Sequence, residues 1–226
     1  CDYPLDYEDI KNKYSKYEYL TIVKNDINIG LTKSLNKALK LATGDIIIRH
    51  DMDDLSLPNR LEQIDKTFRN HKDIDIISSF AYHVTLENLD DESKLLTAPI
   101  NDLEIKKILQ KRNCLIHPSV AFKKNIFYKL GGYSESFKYA QDYDLYLRAI
   151  NFKFYTIQEA LIKKVYSKDN ITVKHRKQQL YYSLAALALY NARKEFNIKS
   201  FFNLLPTIIK IIIPDSMRTI KNKVLK

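Results

Sequence analysis

Apolar side chains at Tyr7, Ile10, Tyr14 and Tyr17 recur at the spacing of one helical face. The next apolar run, Leu20-Thr21-Ile22-Val23, is rich in β-branched residues and predicts a strand. Asn25–Gly30 is turn chemistry. Leu31, Leu35, Ala38, Leu39 and Ala42 then mark a second helical face that stops at Gly44, and Ile46-Ile47-Ile48 predicts a short strand buried on both faces. Helix, strand, helix, strand is the alternation of an α/β domain on a largely parallel sheet.

Pro58 suits the first turn of a helix running to about Asn70. Ile74–Thr85 predicts a strand, 86–100 is polar and irregular, and Asn101–Arg112 is an amphipathic helix. Ile116–Phe122 predicts a strand carrying His117, Gly131-Gly132 punctuates a loop, and Gln141–Asn151 is helical. Two strands, 153–157 and 160–166, follow. From about Thr172 the pattern is helical, so the chain divides into a domain over 1–170 and a helical extension over 171–226.

Composition narrows the class. With 226 residues, 45% hydrophobic and 12% aromatic, the chain is too apolar to be disordered and long enough for a sizeable core. No run approaches the roughly 20 apolar residues of a spanning helix, and no basic-then-apolar leader opens the sequence. Two cysteines, Cys1 and Cys114, are too few for a disulfide scaffold and predict a reducing, cytoplasmic setting. The net charge of +10 favours an anionic partner: nucleic acid, phospholipid or a phosphorylated substrate. Charge alone does not choose.

Candidate chemistry begins at Asp51-Met52-Asp53, where the isoleucine strand ends, because open α/β sheets bind ligands outside those ends. Two carboxylates one residue apart on extended backbone point the same way, and they repel unless a cation lies between them. Hard oxygen ligands suit Mg²⁺ or Mn²⁺. The bland alternative is a solvated acidic turn, with Asp54 or Ser56 capping the next helix. Asp142, in a helix's first turn, serves either the macrodipole or as a general base toward an incoming hydroxyl. Asp144 is expected to face solvent or to pair with Arg148. His117 is either a hydrogen-bonded core residue or part of a pocket wall, and Asn28-Ile29-Gly30 either a plain turn or a backbone cradle near phosphate.

The ordered set Asn28-Ile29-Gly30-Leu31, Ala42-Thr43-Gly44-Asp45 with Ile46–Asp54, Pro58-Asn59-Arg60-Leu61-Glu62, His117-Pro118-Ser119, Gly131-Gly132-Tyr133 and Gln141–Arg148 resembles the family-2 glycosyltransferases of the GT-A fold over about residues 2–170. The resemblance implies a GT-A, Rossmann-like, mostly parallel mixed sheet flanked by helices, N-terminally truncated. It implies inverting transfer of a sugar from a nucleoside diphosphate donor, most simply a UDP-sugar, to a saccharide or lipid-linked acceptor in cell-surface polysaccharide synthesis. Asp51 and Asp53 would hold Mn²⁺ or Mg²⁺, and Asp142 would be the catalytic base. Asp2, Asn28, Gly30, Lys33, Arg49, Asp51 and Met52 would line the nucleotide-sugar site, with His117 on the acceptor side. The sequence departs from the family at Tyr3-Pro4, at Gln141, and in the loop 167–172, which lacks the histidine often found there.

The segment 199–226 carries Lys199, Lys210, Arg218, Lys221, Lys223 and Lys226 against Asp215, among Phe201, Phe202 and many isoleucines. It is expected either to lie on an anionic membrane, peripherally on the cytoplasmic face, or to pack on the domain as a final helical pair. A non-catalytic basic module for membrane or nucleic acid, and a nucleotidyltransferase, are the competing readings. The glycosyltransferase reading expects no nucleic-acid partner.

Overall fold

The computed structural model describes residues 4–167, 170, 174–194 and 198–212. Asp2, most of the 167–172 loop and the tail beyond 212 lie outside them. The helices are α1 (Pro4–Tyr14), α2 (Leu31–Leu41), α3 (Arg60–Asn70), α4 (Asp102–Leu109), α5 (Lys124–Leu130), α6 (Gln141–Arg148), α7 (Arg176–Arg193) and α8 (Ile198–Ile212). The strands are β1 (Ile46–Ile48), β2 (Leu55–Ser56), β3 (Ile76–Thr85), β4 (Leu95–Leu96), β5 (Ala121–Lys123) and β6 (Phe154–Tyr166).

They form one sheet in the order β1-β5-β3-β6-β2, with β4 on β3. The longest ladder, β3 with β6, is parallel; β1–β5, β2–β6, β3–β4 and β3–β5 are antiparallel. Alternation along β3 sends Ile76 to one face and Ile77 to the other. Ile76 joins Phe122, Phe154, Leu109, Leu145 and Tyr146 beneath α4 to α7, while Ile77 joins Ile64, Phe68 and Leu161 beneath α3. Both isoleucines are fully buried, each worth roughly 1.5–3 kcal/mol of transfer free energy. The α/β class expected from the alternation of elements is the one that forms; the sheet is mixed, as the resemblance implied, with its longest ladder parallel and shorter antiparallel pairings around it.

Several local expectations change. The run 20–23 is outside the sheet; strand propensity describes fit to a pleated neighbour and does not by itself make a ladder. β1 is half-buried, because it is an edge strand with β5 on one side. The stretches 153–157 and 160–166 are one strand: pairing passes from Ile157–Ser79 to Ala160–Phe80, so Gln158 and Glu159 form a bulge, not a loop.

His117 is not on a strand. His117–Ser119 is a 3₁₀ turn and β5 starts at Ala121, since Pro118 has no N–H for a ladder. The helix expected over 101–112 ends at Leu109, with the Asn101 side chain accepting from Glu104 N. The helix expected over 141–151 ends at Arg148. α5, not foreseen, stops at Gly131, whose φ of 71° is the left-handed cap glycine tolerates.

α8 packs on the body: Leu204 joins the main core and Thr207 is buried, while Phe202 and Ile209 remain exposed. No helix among the described residues is long and apolar enough to cross a membrane.

Candidate active site

β1 delivers the chain to the acidic residues, but residues 51–54 form a turn instead of the expected extended segment, with Asp54 N donating to Asp51 O at 3.2 Å. The turn gathers three carboxylates, not two. Oxygens of Asp51, Asp53 and Asp54 all lie within 4.8 Å of one another. Met52, at the tip of the turn, is fully exposed.

Asp54 is 5% exposed and is not a helix cap. Its Oδ1 accepts from Val165 N at 2.9 Å, across 111 residues, while its Oδ2 is buried with no hydrogen-bond partner. Burial, reinforced by Asp51 and Asp53, pushes its carboxyl up to about 6. Asp53 sits at the exposed side, where Asn170 Nδ2 donates to its Oδ2 at 3.3 Å and to Val165 O at 3.2 Å. An orphaned carboxylate oxygen beside two further carboxylates is an all-oxygen donor set that fits Mg²⁺ or Mn²⁺.

Arg49 enters from the end of β1. Its guanidinium pairs with Asp51 Oδ1, donates to His50 O, and donates through Nε to His117 Nε2 at 3.4 Å. His117 Nδ1 meets Tyr146 OH at 2.8 Å. Burial, with a smaller contribution from Arg49, lowers the His117 pKa from its usual value, so its ring is neutral at pH 7. Asp142 and Asp51 both act electrostatically on His117, Tyr133 and Tyr146, and Tyr146 stands one turn after Asp142 on α6. Asp142 Oδ2 accepts from Asn113 Nδ2 at 2.7 Å, and Asn113 Oδ1 accepts from Leu115 N at 3.2 Å.

Backbone geometry prepares this corner. Ala140, immediately before α6, has φ 52°, and it is the non-glycine residue with positive φ among those described. That conformation is uncommon for alanine and sets the entry of Asp142 into the helix. Asp144, two residues on, does not face solvent: it is buried and pairs with Arg148 at 2.8 Å. Arg148 also donates to Leu130 O and Gly132 O, which fastens α6 to the glycine loop.

Arg60 supports the turn from below. It is 2% exposed and donates to Arg49 O, to Pro118 O at 2.7 Å and to Ser56 Oγ at 2.9 Å, with His50 Nδ1 also at 3.0 Å. One side chain thus ties the end of β1 to the His117 turn.

Asn28, Gly30 and Lys33 lie at the start of α2, where their interactions are local. Asn28 Oδ1 accepts from Gly30 N at 2.9 Å, Gly30 has φ 79°, and Lys33 is exposed. The same helix reaches the site's wall through Asn36, which donates to Tyr133 O and accepts from Tyr133 N, both at 2.9 Å. A Cβ at Gly132 would stand 2.8 Å from Asn36 Oδ1, so this close approach requires glycine.

The site therefore brings together Arg49, Asp51, Asp53, His117 and Asp142 from the sequence-derived set. Asp54, Asn113, Tyr146 and Asn170 join them unforeseen. Nothing in local sequence marks Asn113, whereas Asp54 stands beside the motif, where local sequence offers it a capping role. An open groove lined by Asp45, Lys72, Lys123, Lys124 and Tyr128 lies at the other end of β1 and holds none of these residues.

Comparison with known proteins agrees with this geometry. The profile described as Glycosyl transferase family 2 matches residues 6–131. An uncharacterized glycosyltransferase of Methanocaldococcus jannaschii is 34% identical over 198 residues, spanning 86% of this chain and 68% of that protein. The UDP-Gal:alpha-D-GlcNAc-diphosphoundecaprenol beta-1,3-galactosyltransferase of Escherichia coli is 30% identical over 206 residues, spanning 90% and 70%. Among solved structures, the Pyrobaculum calidifontis mannosyltransferase in complex with GDP-Man and Mn²⁺ superposes with a TM-score of 0.59 at 15% identity, covering 97% of this chain and 67% of that one. S. aureus TarS 1-349 in complex with UDP gives 0.58 at 18% identity, covering 82% of this chain and 52% of that one. These structural likenesses show the GT-A fold. The chain belongs to glycosyl transferase family 2 and is a glycosyltransferase.

Proposed function

We propose that the chain transfers a sugar, with inversion, from a nucleoside diphosphate donor to a saccharide or lipid-linked acceptor in cell-surface polysaccharide or O-antigen assembly. The observation that carries this reading is the cluster of Asp51, Asp53 and Asp54 beside Arg49, which also reaches His117, itself bonded to Tyr146 of the helix that Asp142 opens. Names among the relatives support the direction, with O-antigen and diphosphoundecaprenol enzymes of Escherichia coli and UDP-bound TarS among them. UDP is therefore the nucleotide assigned to the donor.

Asp51, Asp53 and Asp54 would hold Mn²⁺ or Mg²⁺, which when bound offsets charge developing on the leaving diphosphate. Arg49 places a guanidinium beside the same carboxylates. Asp142 takes the acceptor hydroxyl proton as the acceptor oxygen bonds the anomeric carbon. The bond to the diphosphate breaks with its electron pair, in one displacement. Asn113 engages Asp142 Oδ2, which leaves Oδ1 to receive the proton. His117, kept neutral and bonded to Tyr146, is assigned to the acceptor side. Asn28, Gly30, Lys33 and Met52 are assigned to the donor's approach, Asp2 to its base, and residues 1–170 to the catalytic domain.

The exposed apolar face of α8 is assigned to an anionic membrane surface at the cytoplasmic face, where a lipid-linked acceptor would be found. The decisive experiment is calorimetric titration of UDP with and without Mn²⁺, followed by donor turnover. Asp53→Ala should lose Mn²⁺-dependent binding, and Asp142→Asn should keep binding and lose transfer. Equal UDP affinity with and without metal, or retained turnover in the Asp142 variant, would count against the assignment.

A further inference from the structure

We infer that Arg49 is an internal counter-cation that holds Asp51 until a divalent cation replaces it, and that the released guanidinium then turns to the donor diphosphate. The inference rests on the metal-dependent reading above. Arg49 is held on three sides, by Asp51 Oδ1, His50 O and His117 Nε2, and its side chain is only 15% exposed against 29% for Asp51. Of the three clustered carboxylates, Asp51 is the one that faces a guanidinium, yet its Oδ1, like the Asp54 Oδ2 in the same cluster, is buried with no hydrogen bond. A cation drawn to these oxygens competes directly with that guanidinium for Asp51.

The planar fork of the released guanidinium matches phosphate oxygens. Metal binding therefore frees a phosphate ligand. Conversely, an anion that draws Arg49 away uncovers Asp51. Coupling of this kind is reciprocal in binding free energy, so each ligand strengthens the other.

The test measures Mn²⁺ affinity alone, then UDP affinity at saturating Mn²⁺, for the wild-type chain and for Arg49→Met, Arg49→Lys and Asp53→Ala. Arg49→Met should bind Mn²⁺ roughly three- to ten-fold tighter and UDP about ten-fold weaker, the size of one lost charge-assisted contact. Arg49→Lys keeps the charge without the fork, so its Mn²⁺ affinity should fall between wild type and Arg49→Met. If the lysine variant binds Mn²⁺ as tightly as Arg49→Met, a charge at this position does not compete with the metal, and the counter-cation exchange is overturned. Unchanged or weaker Mn²⁺ binding in Arg49→Met, or unchanged UDP affinity, also overturns it. Should Arg49→Met fail to fold, the lysine variant carries the comparison alone. Asp53→Ala separates the two ideas. Loss of Mn²⁺ there keeps the metal reading even where the Arg49 results fail, and retention of Mn²⁺ there removes the metal reading itself.

Discussion

Asp54 Oδ1 accepts a hydrogen bond from Val165 N at 2.9 Å, joining the acidic turn to the end of β6. The bond holds one carboxylate oxygen inside the protein, and its sister Oδ2 is left buried without a partner. The turn is thus anchored to the sheet by the residue that burial makes hardest to ionise.

Asp54→Asn tests this arrangement through pH. The folded-state pKa is raised to about 6 from 3.8, so the acid favours the fold while protonated, and that contribution is lost as pH rises from about 4 to 6. Asparagine keeps the oxygen that accepts from Val165 N and removes the charge. At pH 7.5 the variant without metal should be more stable by about 1–2 kcal/mol, allowing for solvent screening, and at pH 4 it should match wild type. Urea unfolding at the two pH values reads the difference. The thermal stabilisation that Mn²⁺ gives wild type should shrink in the same variant.

Asn113 acts on the reaction only through Asp142. Asn113→Ala should lower kcat by roughly ten- to a hundred-fold while KM for the donor stays near wild type, because a misplaced base costs chemistry and not binding. Steady-state kinetics with the donor varied measures the split. A rise in donor KM with kcat preserved would place Asn113 in the donor site instead.

Arg60→Met removes a buried cation and strands the carbonyls of Arg49 and Pro118. Destabilisation of about 2–4 kcal/mol is expected, read by denaturant unfolding. Arg60→Lys should recover little of it, since an ammonium has no fork to span acceptors on two segments. Recovery to wild-type stability in the lysine variant would show that charge alone suffices.

Phe202 and Ile209 lie on the outer face of α8, whereas Leu204 and Thr207 point into the body. Replacing both exposed residues with serine should weaken co-sedimentation with anionic liposomes by several-fold and leave the melting temperature within a degree or two, as expected for exposed positions. Unchanged sedimentation would limit α8 to packing.

Much of the architecture is legible in the sequence. The helical faces at Leu31–Leu41 and Arg60–Asn70, the long strand ending at Thr85 and the acidic stop after Ile48 follow from periodicity and punctuation, which are properties of neighbouring residues. The pairing of Asp144 with Arg148, four residues apart on one helix, was legible for the same reason. What failed locally was whatever depended on a partner distant in sequence. Strand propensity at Leu20–Val23 did not bring that run into the sheet, and Gln158-Glu159 looks like a break between strands because polar residues at a bulge carry the composition of a loop.

The sequence alone determined the fold class, the motif order and the residue types able to hold a cation or move a proton. Tertiary structure decided which of them act together. Asp54 meets Val165, Asn113 meets Asp142, and Arg49 meets His117 only when separate elements pack, because burial and hydrogen-bond pairing are set by the space between elements and not by any one of them.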